Sequence, residues 1–154
     1  MIPVTNRQRR VSVGARQVRD VVAAVFAAEQ AGQPDVGVAL VNDEAIRALN
    51  SEHLDHDWAT DCISFDYSDD PAPDSLRGEV VVSAETARRE AEARGKDPAH
   101  ELLLYVAHGV LHLLGWDDDT PARRDAMNAR ASEILSGAGL GAGAAAEDWD
   151  GATP

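Results

Sequence analysis

Cysteine is all but missing from this chain: Cys62 is the only one in 154 residues. One thiol cannot build an internal disulfide framework, so a reducing, cytoplasmic setting is the expectation. A cysteine-rich zinc ribbon is excluded on the same count. No apolar run reaches the roughly eighteen residues a membrane helix needs, and the first thirty residues carry no secretory pattern, so no membrane partner is expected. There is no internal repeat. Basic residues are scarce as well, 14 Lys and Arg against 27 Asp and Glu, for a net charge of -13. As a sum, that argues against a general nucleic-acid binder, because neutralising phosphates takes clustered Lys and Arg. The distribution qualifies the sum. Arg7, Arg9, Arg10, Arg16 and Arg19 fall within the first twenty residues, where Asp20 is the only acid. Acids instead crowd the stretch from Glu52 to Asp74, the run Asp117 to Asp119, and the tail. The plain account of this pattern is a solvated acidic surface with one basic end.

What remains suits one ordinary domain. Hydrophobic residues make up 44% of the chain and charged residues 27%, close to globular averages. Val4 to Gln8 reads as a first strand. Val18, Val21, Val22, Val25 and Phe26 recur at helical spacing and predict an amphipathic helix from Ala15 to near Gly32. After Pro34, Val36 to Val41 reads as a strand, and Asn42 is placed to cap a short helix carrying Ala45, Ile46 and Leu49. The polar stretch from Ser51 to Thr60 reads as loop. Cys62, Ile63 and Phe65 form a short β-leaning run, and Pro71 and Pro73 mark a further loop. Glu79 to Ser83 is the clearest strand, rich in β-branched residues, and Ser83 is placed to cap a helix that Gly95 ends. Asp97 followed by Pro98 joins a capping side chain to a proline at the first helical position. The helix it starts is apolar nearly all round to about Leu114 and is expected to be buried. Thr120 and Pro121 repeat the signal for a last helix with Met127, Ile134 and Leu135. We expect a single domain over residues 1–136 and a flexible Gly/Ala/acidic tail over 137–154, with Trp149 inside it. Strands and helices alternate without a long parallel series, which predicts an α+β fold around a small mixed sheet.

The chemistry concentrates in HGVLHLLGWDDD, His108 to Asp119. His108 and His112 are four apart, so both imidazoles project from one helical face. Gly115 stands where a left-handed C-terminal turn stops a helix and redirects the chain, bringing Asp117, Asp118 or Asp119 back toward them. Two neutral nitrogens and one carboxylate suit zinc with a fourth position left for water, and they accept iron, nickel or cobalt as well. Each buried histidine must otherwise find a hydrogen-bond partner, which is the alternative for any single one. The spacing matches that of metzincin peptidases, yet the residue after the first histidine, where their general base stands, is Gly109. Glycine accepts no proton, so a metallopeptidase-like hydrolase is demoted.

The same stretch resembles the HGxLHLxGYDH signature of the bacterial YbeY family of metal-dependent ribosomal-RNA maturation endoribonucleases. TDCISF (Thr60 to Phe65) resembles its T-[DN]-V-L-S-F strand and GEVVVS (Gly78 to Ser83) its G-D-I-x-I-S strand. The likeness runs from about Val36 to Leu135. It implies a metzincin-like α+β sandwich with a four-stranded sheet and a cleft-side strand from Cys62 to Phe65 or Val80 to Ser83. It also implies one zinc ion held by His108, His112 and Asp118. Asp118 takes the place of the family's usual third histidine, and the loop pattern from Asn50 to Asp57 accompanies that aspartate form. Asp117 and Asp119 stay open as alternatives. An anionic ligand lowers the charge of the centre by one unit and makes bound water less acidic. Leu54 aligns with an arginine that many members use near the scissile phosphate; Arg77 or His56 is the candidate replacement. Ser64 and Glu79 match motif positions expected to serve the sheet or support the site, and Cys62 is expected in the core. The implied activity is single-strand-specific endoribonuclease, in maturation of the 3′ end of 16S rRNA and in ribosome quality control. The implied partners are precursor rRNA and the small subunit or its assembly proteins. The rival from another class is a ribosome-assembly scaffold with a structural metal site.

Overall fold

A computed structural model describes residues 2–54, 62–67 and 76–140. Four strands and five helices follow in the order β1 (Val4–Asn6), α1 (Ala15–Ala28), β2 (Val36–Val41), α2 (Asp43–Leu54), β3 (Cys62–Asp66), β4 (Gly78–Ser83), α3 (Ala84–Ala93), α4 (Pro98–Leu113) and α5 (Pro121–Gly137). The sheet runs β1-β2-β4-β3. β1, β2 and β4 are mutually parallel, and β3 is antiparallel to β4 on the edge. This is the expected α+β class with a mixed four-stranded sheet.

Side-chain alternation along β4 explains the architecture. Val80 and Val82 enter the larger core with α1, α4 and α5, whereas Val81 faces the other way and packs with Ile46 of α2 and Ile63 of β3. A central strand covered on both faces has no polar side to show, which is why GEVVVS reads as an unbroken apolar run. β3 obeys the same rule: Cys62 meets the α4 side, and Ile63 and Phe65 meet the α2 side.

The helix starts are as expected. Ser83 Oγ accepts from Thr86 N at 3.2 Å, and Asp97 Oδ1 accepts from Ala99 N at 3.1 Å. α4 is buried along most of its length, Leu102, Leu103, Val106, Val110 and Leu111 being fully enclosed.

Several boundaries differ from expectation: β1 ends at Asn6 before Gln8, and α1 ends at Ala28, short of Gly32. Ser51 to Leu54 are helical, not loop, because α2 continues past Leu49. Four polar-rich residues with no proline or glycine extend a helix at little cost, and polarity alone did not separate an exposed helical turn from a loop. The folded chain also runs past Ser136. Gly139 takes a φ of +76°, and Leu140 N donates to Leu135 O at 2.6 Å. Leu140 is 9% exposed and joins the core, so the expected tail is folded over its first four residues, 137–140. Trp149 lies outside the described residues.

Candidate metal centre

α4 brings the two histidines to the edge strand through a glycine. A Cβ built on Gly109 would stand 2.4 Å from Val80 Cγ1 and 2.9 Å from Cys62 Sγ. Only a residue without a side chain lets the helix lie this close to β3 and β4. Ser64 Oγ donates to the carbonyl of Gly109 at 3.0 Å and pins strand to helix at the same level. Cys62 fills the seam beneath, in keeping with a packing role.

A cleft of about 310 Å³ opens beside this seam. β3 supplies Cys62, Ile63 and Ser64, α4 supplies His108 and His112, and Asp118 and Met127 complete the lining. Of the two strands offered for the cleft side, it is therefore the one from Cys62 to Phe65. His108 is half-buried and His112 is exposed at the mouth.

The turn after α4 sets which aspartate faces them. Gly115 takes a φ of +106°, its N–H donates to His112 O at 3.1 Å, and Trp116 N donates to Leu111 O at 3.0 Å. That pair of bonds is a Schellman cap, and it turns the chain back across the helix end. The three aspartates then separate. Arg123 Nη1 donates to Asp119 at 3.0 and 3.2 Å and lies 3.9 Å from Asp117 Oδ2. Asp118 makes no ion pair with any described residue and borders the cleft shared with His108 and His112. Among the described residues, no three His, Cys, Asp or Glu side chains stand gathered closely enough to hold an ion. The three candidates share one cleft wall rather than a closed cage. Their donor chemistry, two imidazole nitrogens and one carboxylate, fits a divalent transition metal.

Arg77 does not supply the missing cation. It precedes Gly78, whose α-carbon lies against Leu113 of α4 and the Phe65 carbonyl of β3. There it is engaged: its Nε lies 3.4 Å from Asp35 Oδ1, and its guanidinium sits 5.6 Å from the Phe26 ring centre. Glu79 follows the strand alternation onto the face away from α4. The Leu54 side chain and His56 lie outside the described residues. Among the described residues, Arg124 of α5 stands near the site. It lines a second cleft, about 670 Å³, which shares His108 and Asp118 with the first and runs along α4 toward Arg94, Lys96 and Glu101. Arg94 is taken up by Glu101 at 2.6 Å, whereas the Arg124 guanidinium has no ion pair among the described residues. Sequence reading passed over Arg124 because only the fold of α5 across α4 brings it here.

Comparison with known proteins bears on this arrangement. The family model for endoribonuclease YbeY matches residues 3–139. The chain belongs to the endoribonuclease YbeY family. An endoribonuclease YbeY of Anaeromyxobacter dehalogenans is 41% identical over 126 residues, 82% of this chain and 65% of that protein. One from Moorella thermoacetica is 37% identical over 150 residues, 89% of this chain and 96% of its relative. The chain thus spans just under two thirds of the first YbeY protein and nearly all of the second. The solution structure of TM1509 from Thermotoga maritima matches with a TM-score of 0.57 and 20% identity, covering 89% of this chain and 91% of that one. That likeness is one of fold.

Proposed function

We propose that this YbeY-family chain is a metal-dependent endoribonuclease that cuts single-stranded RNA. In this reading it acts in 3′-end maturation of 16S rRNA and in ribosome quality control, in the cytoplasm, with the small subunit or its assembly proteins as partners. His108, His112 and Asp118 are the ligands in this reading, and zinc is the metal. The observation that carries it is the sorting of the turn: Asp117 and Asp119 are drawn toward Arg123, and the remaining carboxylate lines the cleft with both histidines. Asp118 is exposed and has no ion pair among the described residues, so turning toward a cation costs it only rotamer freedom. A zinc ion held there would supply Lewis acidity toward a phosphoryl oxygen and toward a water.

The chain's own residues do the rest. α4 and β3, joined by the Ser64 bond to Gly109, present a fixed wall to the substrate. Arg124, on the larger cleft that shares His108 and Asp118 with the first, takes a phosphate of the strand in this reading. The family name of the relatives supports the phosphodiester substrate class. The test is metal analysis of the purified chain together with cleavage of single-stranded and duplex RNA. About one zinc per chain, lost in His112→Ala, and single-strand cleavage abolished by His108→Ala are expected. Metal content near zero and unchanged by His112→Ala, or equal cleavage by His108→Ala, would overturn the reading. Pull-down of a ribosomal protein that survives His108→Ala with no RNA cleavage would favour the scaffold.

A further inference from the structure

The turn that carries Asp118 is tied at a point far from it in sequence. Trp116 follows the Schellman glycine, and its indole Nε1 donates to Glu29 Oε1 at 2.7 Å. Glu29 is the C-cap residue of α1. Its second oxygen accepts from Arg130 Nε at 2.8 Å, and Arg130 Nη2 donates to the Ala28 carbonyl at 3.1 Å. Arg130 also pairs with Glu133 on its own helix. One carboxylate, 16% exposed, therefore clasps the end of α1, the turn after α4 and the middle of α5.

A carboxylate at the C-terminal end of a helix opposes the helix dipole. Glu29 owes its place to its partners rather than to α1. The indole has a single donor and no acceptor, so its one bond sets the ring's direction. The ring packs against the core on one side and stands two residues before Asp118. At Trp116 the backbone is held by its N–H bond to Leu111 and the side chain by Glu29. The loop between them and α5 is short, so where Trp116 points decides where Asp118 can reach.

We infer that Glu29, acting through Trp116, is a positioning residue for the cleft carboxylate Asp118, with Arg130 holding Glu29 in turn. This rests on the metal-centre reading above. It names a dependence of that site on a residue 87 positions upstream of Trp116. Glu29 touches neither metal nor substrate in this role.

The experiment compares wild type with Glu29→Ala, Glu29→Gln and Trp116→Phe. It measures zinc affinity by chelator competition, urea midpoints of the metal-free proteins, and amide exchange at Gly115 and Trp116. Supporting groups of this kind are worth about ten- to a hundred-fold in metal affinity. Glu29→Ala and Trp116→Phe are expected to weaken zinc binding by that factor and to speed exchange at both amides. Glu29→Gln, which keeps an acceptor for the indole, is expected to recover most of the loss. Trp116→Phe keeps the packed ring, so it reports even where Glu29→Ala unfolds. Lowered urea midpoints with zinc affinity unchanged in every variant would make Glu29 purely structural and overturn the inference. A wild type that binds no zinc while the variants still loosen the two amides would instead remove the metal centre and leave the hold on the turn standing.

Discussion

Gly109→Ala is the substitution for which local and tertiary rules disagree most sharply. On helix propensity alone it stabilises by about 1 kcal/mol, since glycine inside a helix gives up more backbone entropy than alanine. The fold reverses the sign. The new methyl would sit 2.4 Å from Val80 Cγ1, so α4 or β4 must retreat by about 1 Å to recover ordinary contact. Val80 is fully buried in the strand at the centre of the sheet, and Cys62 closes the other side. Overpacking of this kind costs about 1–3 kcal/mol, and opening the seam also strains the Ser64 bond to the Gly109 carbonyl, worth about 1 kcal/mol. The net expectation is a loss of about 1–3 kcal/mol, read as a lower urea midpoint with an unchanged slope and a melting temperature lower by about 3–9 °C. Gly137→Ala, in the last turn of α5 with nothing within 4 Å of the added carbon, is the control and is expected to hold or gain stability. Ser64→Ala isolates the hydrogen bond. If Gly109→Ala proves as stable as wild type or more so, the close approach of helix and strand is not what places His108 beside β3. The account of the cleft would then fail at its base.

Two further outcomes follow from charges. Burial raises the pKa of Asp43, but hydrogen bonds from Ser83, Thr86 and Arg89 and the charge of Arg89 outweigh it, leaving the carboxyl below its usual 3.8. A depressed folded pKa gives stability that is present above the unfolded value and lost as pH falls through the folded one. Asp43→Asn is therefore expected to cost about 1–2 kcal/mol at pH 7, discounted because Arg89 is largely exposed. The gap to wild type should close in denaturation curves taken below pH 4; a constant gap across that range would refute the assignment. Arg124→Ala is expected to weaken single-stranded RNA binding evenly across sequences and to reduce the salt slope by about 0.7. An unchanged slope in a filter-binding titration would remove Arg124 from the phosphate track.

The parts of this molecule that were legible in its sequence are those whose cause is local. Asp97-Pro98, Ser83 and Thr120-Pro121 start helices by satisfying N–H groups within three residues, and all three starts stand where they were expected. The histidine pair is a matter of helical spacing. The pairing of Asp119 with Arg123 also had a local sign, the two being four apart across one helical turn. What was not legible depends on where the chain goes next. Arg77 adjoins the Gly78 strand in sequence, yet its side chain is taken up by Asp35 and the Phe26 ring. Arg124 and Glu29 carry no motif and gain their meaning only when α5 and α1 close against α4. The loop reading of Ser51 to Leu54 failed for another reason: an exposed helical turn and a loop share a composition.

The site thus joins a rigid half to an adjustable one. His108 and His112 ride on a helix whose other side is core and whose glycine is locked against β4, so their spacing is set by folding itself. Asp118 rides on an exposed turn, and its reach is set by a cap at Gly115 and a carboxylate borrowed from α1. A site built this way divides its vulnerabilities. Damage to the α4 seam should appear first as lost stability, and damage to the Glu29 clasp first as lost metal affinity in a protein that still folds. Because the two halves share no side chain, Gly109→Ala combined with Trp116→Phe should add in free energy of unfolding within a few tenths of a kcal/mol. Strong coupling between them would mean that turn and seam are one structural unit, with no separate hold on Asp118.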